Sequence, residues 1–138
     1  MATFNKFNAF VADVGTKVHN LNADTLKVCL SDVAPVATNT ILSNITQITA
    51  GNGYSSGGTA VGSNAYSQTS GLATLTGGNV VFTASGGSIA QFRYAVLYNS
   101  TPANGNLIGW FDYGAEVNVT TGNTFTVAWN ASGILTVQ

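Results

Sequence analysis

Residues 92–113 read FRYAVLYNSTPANGNLIGWFDY, and the fold turns on how this stretch is read. Phe92, Tyr94, Val96 and Tyr98 alternate with Arg93, Ala95 and Leu97, the period of two that sends successive side chains to opposite faces of a strand. A Pro102-Ala103-Asn104-Gly105 turn follows, and then a second β-rich run, NLIGWFDY. Downstream, AEVNVT, TFTVAW and ILTV continue the pattern, separated by Tyr113-Gly114, Thr121-Gly122-Asn123 and Ala131-Ser132-Gly133. Upstream, LATLT and VVFTA flank Gly77-Gly78 as in a hairpin. About seven to nine short strands with turns at even intervals predict a mainly β protein, a sandwich or a closed barrel.

The first part of the chain reads differently. Phe4, Phe7, Phe10, Val11, Val14 and Val18 recur every three or four residues, which predicts a short amphipathic helix with Thr3 as its N-cap. Its phenylalanine stripe must be covered, either by the protein's own barrel or by a neighbouring subunit. Thr25–Ser31 predicts a half-buried strand, with Leu26, Val28 and Leu30 on one face and Lys27, Cys29 and Ser31 on the other. Residues 38–48 fit a short helix capped near Thr38 or Asn39. The run AGNGYSSGGTAVGSNAYSQ, residues 50–68, reads as a Gly/Ser-rich loop or arm that Tyr54 and Tyr66 could pin to a surface. One domain is expected over 1–138: an N-terminal helical segment and connection over 1–22, the loop or arm over 50–68 and a β-rich core over 70–138.

Charge is scarce. Asp, Glu, Lys and Arg make up 7% of the chain, against about 25% in an ordinary soluble domain, and residues 33–92 contain none. Ser, Thr, Asn and Gln carry the polarity there, and such groups can be covered by a neighbour without the cost of burying charge. That favours an assembly protein. The basic residues Lys6, Lys17, Lys27 and Arg93 are scattered, and the net charge is −1, which excludes a phosphate-gripping nucleic-acid surface. No apolar run approaches a membrane span, and MATFNKFNAF lacks the features of a signal peptide. The Asn-x-Ser/Thr sequences at Asn44, Asn99, Asn118 and Asn130 therefore read as products of composition.

Reactive residues are as sparse. Residues 13–32, DVGTKVHNLNADTLKVCLSD, hold the only histidine, His19, and the only cysteine, Cys29. A zinc site needs more ligands than these. A Cys29–His19 nucleophilic pair is weighed against a small hydrophobe in mid-strand, and the hydrophobe is preferred. Asp112 and Glu116 are the nearest pair of carboxylates for acid–base work, but they read as rim charges, one of them satisfied by Arg93. Tyr94, Tyr98, Trp110, Phe111, Tyr113 and Trp129 could form a sugar-stacking platform, and core or subunit packing is the better reading. No enzyme, cofactor or metal site is expected.

FNAFVADVGTKVHNLNADTLKVCLSDVAP (7–35) followed by TNTILSNITQITAGNGYSSGG (38–58) resembles small virion proteins of tailed bacteriophages. In particular it resembles the jelly-roll cement, or decoration, proteins of their capsids, and KVHNL, DTLKV and GNGY carry the likeness. The resemblance implies a jelly-roll-like fold and a structural role on the capsid exterior of a virion made in the host cytoplasm. It implies contacts with the major capsid protein and with itself, as a homodimer or homotrimer. Phe4, Phe7, Phe10, Tyr54 and Tyr66 are the candidate interface residues. A carbohydrate-binding β-sandwich, or another virion component such as a head fibre, neck or tail protein, is the alternative.

Overall fold

The alternating runs at 92–113 do form strands, and together they make the longest antiparallel pair of the protein. The computed structural model describes residues 3–138, with side chains from Phe4 onward. In chain order the elements are β1 (Thr3–Lys6), α1 (Asn8–Gly15), β2 (Leu26–Ser31), β3 (Thr59–Ala60), β4 (Ala65–Thr69), β5 (Leu72–Thr76), β6 (Val80–Thr83), β7 (Ile89–Asn99), β8 (Leu107–Val119), β9 (Thr124–Val127) and β10 (Leu135–Val137). The sheets have the orders β1-β8-β7-β2-β3, β10-β5-β4 and β6-β9, and every pairing is antiparallel. The protein is mainly β with one short α-helix among the described residues, an arrangement consistent with a β-sandwich.

β7 and β2 are interior strands, and from Tyr94 to Asn99 every residue of β7 is buried. The expected half-buried β2 is thus corrected: Cys29 and Ser31 are as buried as Leu26 and Leu30. Alternation survives as a direction of side chains, but both faces are covered. β8 also differs from expectation, running unbroken through Tyr113-Gly114. Gly114 takes φ +78, and register shifts in the β7–β8 ladder absorb the irregularity.

At the N-terminus the helix is shorter than its phenylalanine pattern predicts. Thr3–Lys6 pairs with β8 as an edge strand, Phe7 is the extended N-cap residue, and only Asn8–Gly15 is helical. The ladder gives this segment backbone partners that a longer helix would forgo. It also seats Phe4 opposite Phe111, with ring centroids 5.1 Å apart. Gly109 makes the seat, since a Cβ there would stand 2.4 Å from the Phe4 ring.

Two other expectations are overturned by glycine. Gly77-Gly78 is not a hairpin turn: β5 pairs with β4 and β10, while β6 pairs with β9. Neither glycine has positive φ; instead a Cβ at Gly77 would come within 2.5 Å of Val61, so the pair provides clearance. Residues 38–48 form no α-helix, only a 3-10 turn at Leu42–Asn44 flanked by bridges from Ile41 to Asn106 and from Gln47 to Ser31.

The 50–68 segment is docked along its length and ends in β3 and most of β4. Tyr54, 2% exposed, donates to Gln47 Oε1 at 2.6 Å and accepts from Leu30 N at 3.1 Å. Tyr98 donates to the Gly57 carbonyl at 2.5 Å. The backbone itself packs at contact distance: a Cβ on Gly53 would lie 1.9 Å from Thr83 O, and one on Gly58 1.8 Å from Val28 O. The core so enclosed is one cluster that includes Phe7, Phe10, Leu30, Phe82, Phe92 and Leu107.

Gly58 and Gly62 both have positive φ, at +76 and +68, but only at Gly58 would an added Cβ meet a neighbouring strand. Gly62→Ala should therefore cost only about 1–2 kcal/mol of backbone strain. Gly58→Ala should cost more than about 3 kcal/mol, because the strand contact must also open. Urea denaturation of the two variants measures the difference; equal losses would mean that the loop is not seated on β2.

Candidate functional site

The charged stretch 13–32 folds into a polar joint. α1 ends with Val18 N donating to Asp13 O at 2.9 Å, while Lys17 takes φ +68. This Schellman-type reversal turns the chain inward, and His19 becomes 7% exposed, its ring 5.5 Å from that of Phe10. Asn99, fully buried at the end of β7, meets it there. Asn99 Nδ2 donates to Asp24 Oδ2 at 2.7 Å and to His19 Nδ1 at 3.1 Å, and its Oδ1 accepts from Thr101 N at 3.0 Å.

These contacts fix the tautomer. An amide nitrogen only donates, so Nδ1 accepts and the imidazole proton sits on Nε2. Nε2 has no hydrogen-bond partner among the described residues; the nearest carboxylate oxygen, Asp13 Oδ2, is 3.9 Å away and accepts from Asn106 Nδ2 at 3.2 Å. Burial lowers the His19 pKa, against the opposing pull of Asp13 and Asp24. The joint thus holds a neutral imidazole that ties α1, β7 and the 19–25 connection together.

The structure does not bring His19 and Cys29 together. Cys29 lies in mid-β2 opposite Val96, completely buried, and burial pushes its thiol up to about 12. Its electrostatic neighbours are Tyr54 and Tyr98, whereas those of His19 are Asp13 and Asp24. A thiol held in this way is a core hydrophobe, as the sequence suggests.

Asp112 pairs with Arg93, as expected, through Nε–Oδ1 at 2.8 Å and Nη2–Oδ2 at 3.2 Å. The Arg93 hydrogen bond, and then the Gly114 N–H at 2.8 Å, hold the Asp112 carboxyl below the usual carboxylate range. A carboxylate kept ionised in this way is no general acid. Glu116 is exposed and forms no ion pair among the described residues.

The six aromatic residues do not form one platform. Tyr94 and Tyr98 are 8% and 2% exposed. Trp110 packs on Phe7, at 4.5 Å between centroids, while the adjacent Phe111 faces the other way towards Phe4, Tyr113 and Trp129. The two tryptophans are therefore on different sides of the main sheet.

Of the candidate interface residues, Phe7, Phe10 and Tyr54 are core, with 0%, 1% and 2% exposure, and so are not available to a partner. Phe4 is half-buried against Phe111. Tyr66 is half-exposed on β4 and lines a cleft of about 510 Å³ with Val14, Lys17, His19, Asn20, Leu21 and Asn22. Asn99, central to the joint, is visible in the sequence only as a would-be glycosylation site, and its burial removes that reading. Among the described residues no cluster of His, Cys, Asp or Glu could hold a metal ion, and no helix is long and apolar enough to cross a membrane. The chain matches no family model, no curated protein and no solved structure.

Because the folded pKa of His19 lies below its ordinary 6.5, the unfolded chain binds the extra proton first as the solution is acidified. The stability contributed by the neutral ring is full above pH 6.5 and is lost as pH falls through the folded value. Asp112 acts in a separate, lower window, below its ordinary 3.8. Thermal melts between pH 7 and pH 5 should show decreasing stability, and His19→Gln should flatten that slope; an unchanged slope would remove His19 as its source. Cys29 should resist a thiol reagent such as Ellman's in the native protein and react only at the rate of opening; immediate reaction would contradict its burial.

Proposed function

We propose that the protein is a structural virion component that binds the outside of a bacteriophage capsid as a homo-oligomer and stabilises contacts between capsomers. The observation that carries this reading is the charge-free surface. Residues 33–92 hold no charge, yet they supply β3 to β6 and many exposed side chains, among them Ser55, Thr59, Ser67, Gln68, Thr76 and Thr83. Leu72 and Val81 add exposed apolar area, at 40% and 47%. Neutral hydroxyls and amides can be covered by a protein partner at low desolvation cost. Contacts of this kind depend little on salt, and repeated over a lattice they gain by avidity.

The docked loop supports the reading too. A surface pinned by Tyr54, Gly53 and Gly58 is preorganised, so less ordering entropy is lost when a partner covers it. Antiparallel sheets around one core are what a jelly roll requires, and we assign that arrangement together with the function. The sequence resemblance at 7–35 and 38–58 points the same way.

The reading predicts co-sedimentation with intact capsids at high copy number, changing little with moderate salt. Ser67→Glu with Gln68→Glu places charge on exposed positions of β4 and should weaken capsid binding by roughly tenfold or more. Stability should change by less than about 0.5 kcal/mol. Absence of the wild-type protein from the capsid pellet would refute the proposal, and full binding by the double variant would remove β4 from the contact surface.

A further inference from the structure

We propose that the cleft between the end of α1, the 17–22 connection and Tyr66 of β4 binds an acidic sugar, a hexuronic acid residue being the simplest. The cleft measures about 510 Å³, within the roughly 300–1,000 Å³ range of small-molecule sites. Its walls divide into two kinds. Val14, Leu21 and the Tyr66 ring supply an apolar side, suited to the C–H face of a sugar ring.

The polar side offers donors. Asn22 Oδ1 is occupied by the Tyr66 N–H at 3.1 Å, and Asn20 Oδ1 by the Ala23 N–H at 3.3 Å. Each amide keeps its Nδ2 group, which donates, for a ligand, while its oxygen is already engaged by the backbone. The Lys17 ammonium makes no ion pair among the described residues. No carboxylate lines the cleft. Asp24 Oδ2 is turned to Asn20 N and Asn99 Nδ2, at 2.8 and 2.7 Å, and Asp13 Oδ2 to Asn106. A rim with two amide donor groups, one cation and no carboxylate favours a ligand carrying acceptors and negative charge, and the apolar wall favours a ring over a bare anion.

The backbone conformation of Lys17 sharpens the assignment. Residue 17 is the left-handed position that ends α1, with φ +68, a place where glycine is the unstrained choice. A lysine there carries backbone strain and brings a cation to the rim of the cleft. Lys17→Gly therefore removes the ligand's proposed counter-charge while keeping the helix end. Asn22→Asp keeps an oxygen for the Tyr66 N–H and exchanges the donor for a carboxylate.

The test is an NMR titration of the full chain with methyl glucuronide, with methyl glucoside and acetate as controls. Saturable shifts at the amides of 17–22 and Tyr66 are expected with the glucuronide. Lys17→Gly and Asn22→Asp should each weaken binding about tenfold or more, the worth of one charge-assisted hydrogen bond, while their spectra stay dispersed like that of the wild type. No saturable shift with the glucuronide would overturn the proposal. So would equal binding of the glucoside, equal binding of acetate, or affinity unchanged in both variants.

Discussion

Strand β7 is buried on both faces from Tyr94 onward, and the placement of the other elements follows from that. A strand covered on both faces needs partners along both edges for its backbone and layers above and below for its side chains. β2 and β8 supply the edges, pairing along Leu26–Ser31 and Leu107–Val119. α1 and the Gly-rich segment then close over the sheet, with Phe7 seated on Trp110 and Tyr98 bonded to Gly57. Where glycine would otherwise weaken a chain, here it permits the approach of backbones that such covering demands.

Burying so much of one sheet leaves few places for polar groups, and each buried one is tied down. Ser31 Oγ donates to Thr46 O at 2.5 Å and accepts from Val33 N at 3.1 Å, which stitches β2 to the 33–46 connection. Asn99 serves three partners at once. Among the described residues the His19 Nε2–H is the exception, buried without a partner. A half-satisfied polar joint is costly, and its position beside the only sizeable concentration of charge in the first half of the chain marks that corner as different in kind from the neutral remainder.

The mainly β class and the strands at 26–31 and 92–99 were legible because a period of two is imposed by the backbone and survives even when both faces are buried. The pairing of Arg93 with Asp112 was legible because few charges compete for either. The N-terminal pattern misled for a physical reason. Phe4, Phe7 and Phe10 do all turn to apolar surroundings, yet a free sheet edge at β8 outweighs helix propensity for the first of them. Gly77-Gly78 misled because a glycine pair can mean a turn or a close approach, and only the position of Val61 decides between them. The joint around Asn99 was illegible for a related reason: its members lie up to 93 residues apart, from Asp13 to Asn106, and no local pattern links the two ends.

The opposed facing of the two tryptophans has an optical consequence. Trp110 sits on Phe7 under α1, whereas Trp129 stacks near Phe111 and donates from Nε1 to Gly78 O at 2.8 Å. The first indole reports on the helical cap of the sheet, the second on the closure of its far side. Intrinsic fluorescence from single-tryptophan variants can thus follow the two layers separately in one chain. Whether their signals vanish together or in sequence distinguishes an all-or-none collapse of the architecture from a layered one.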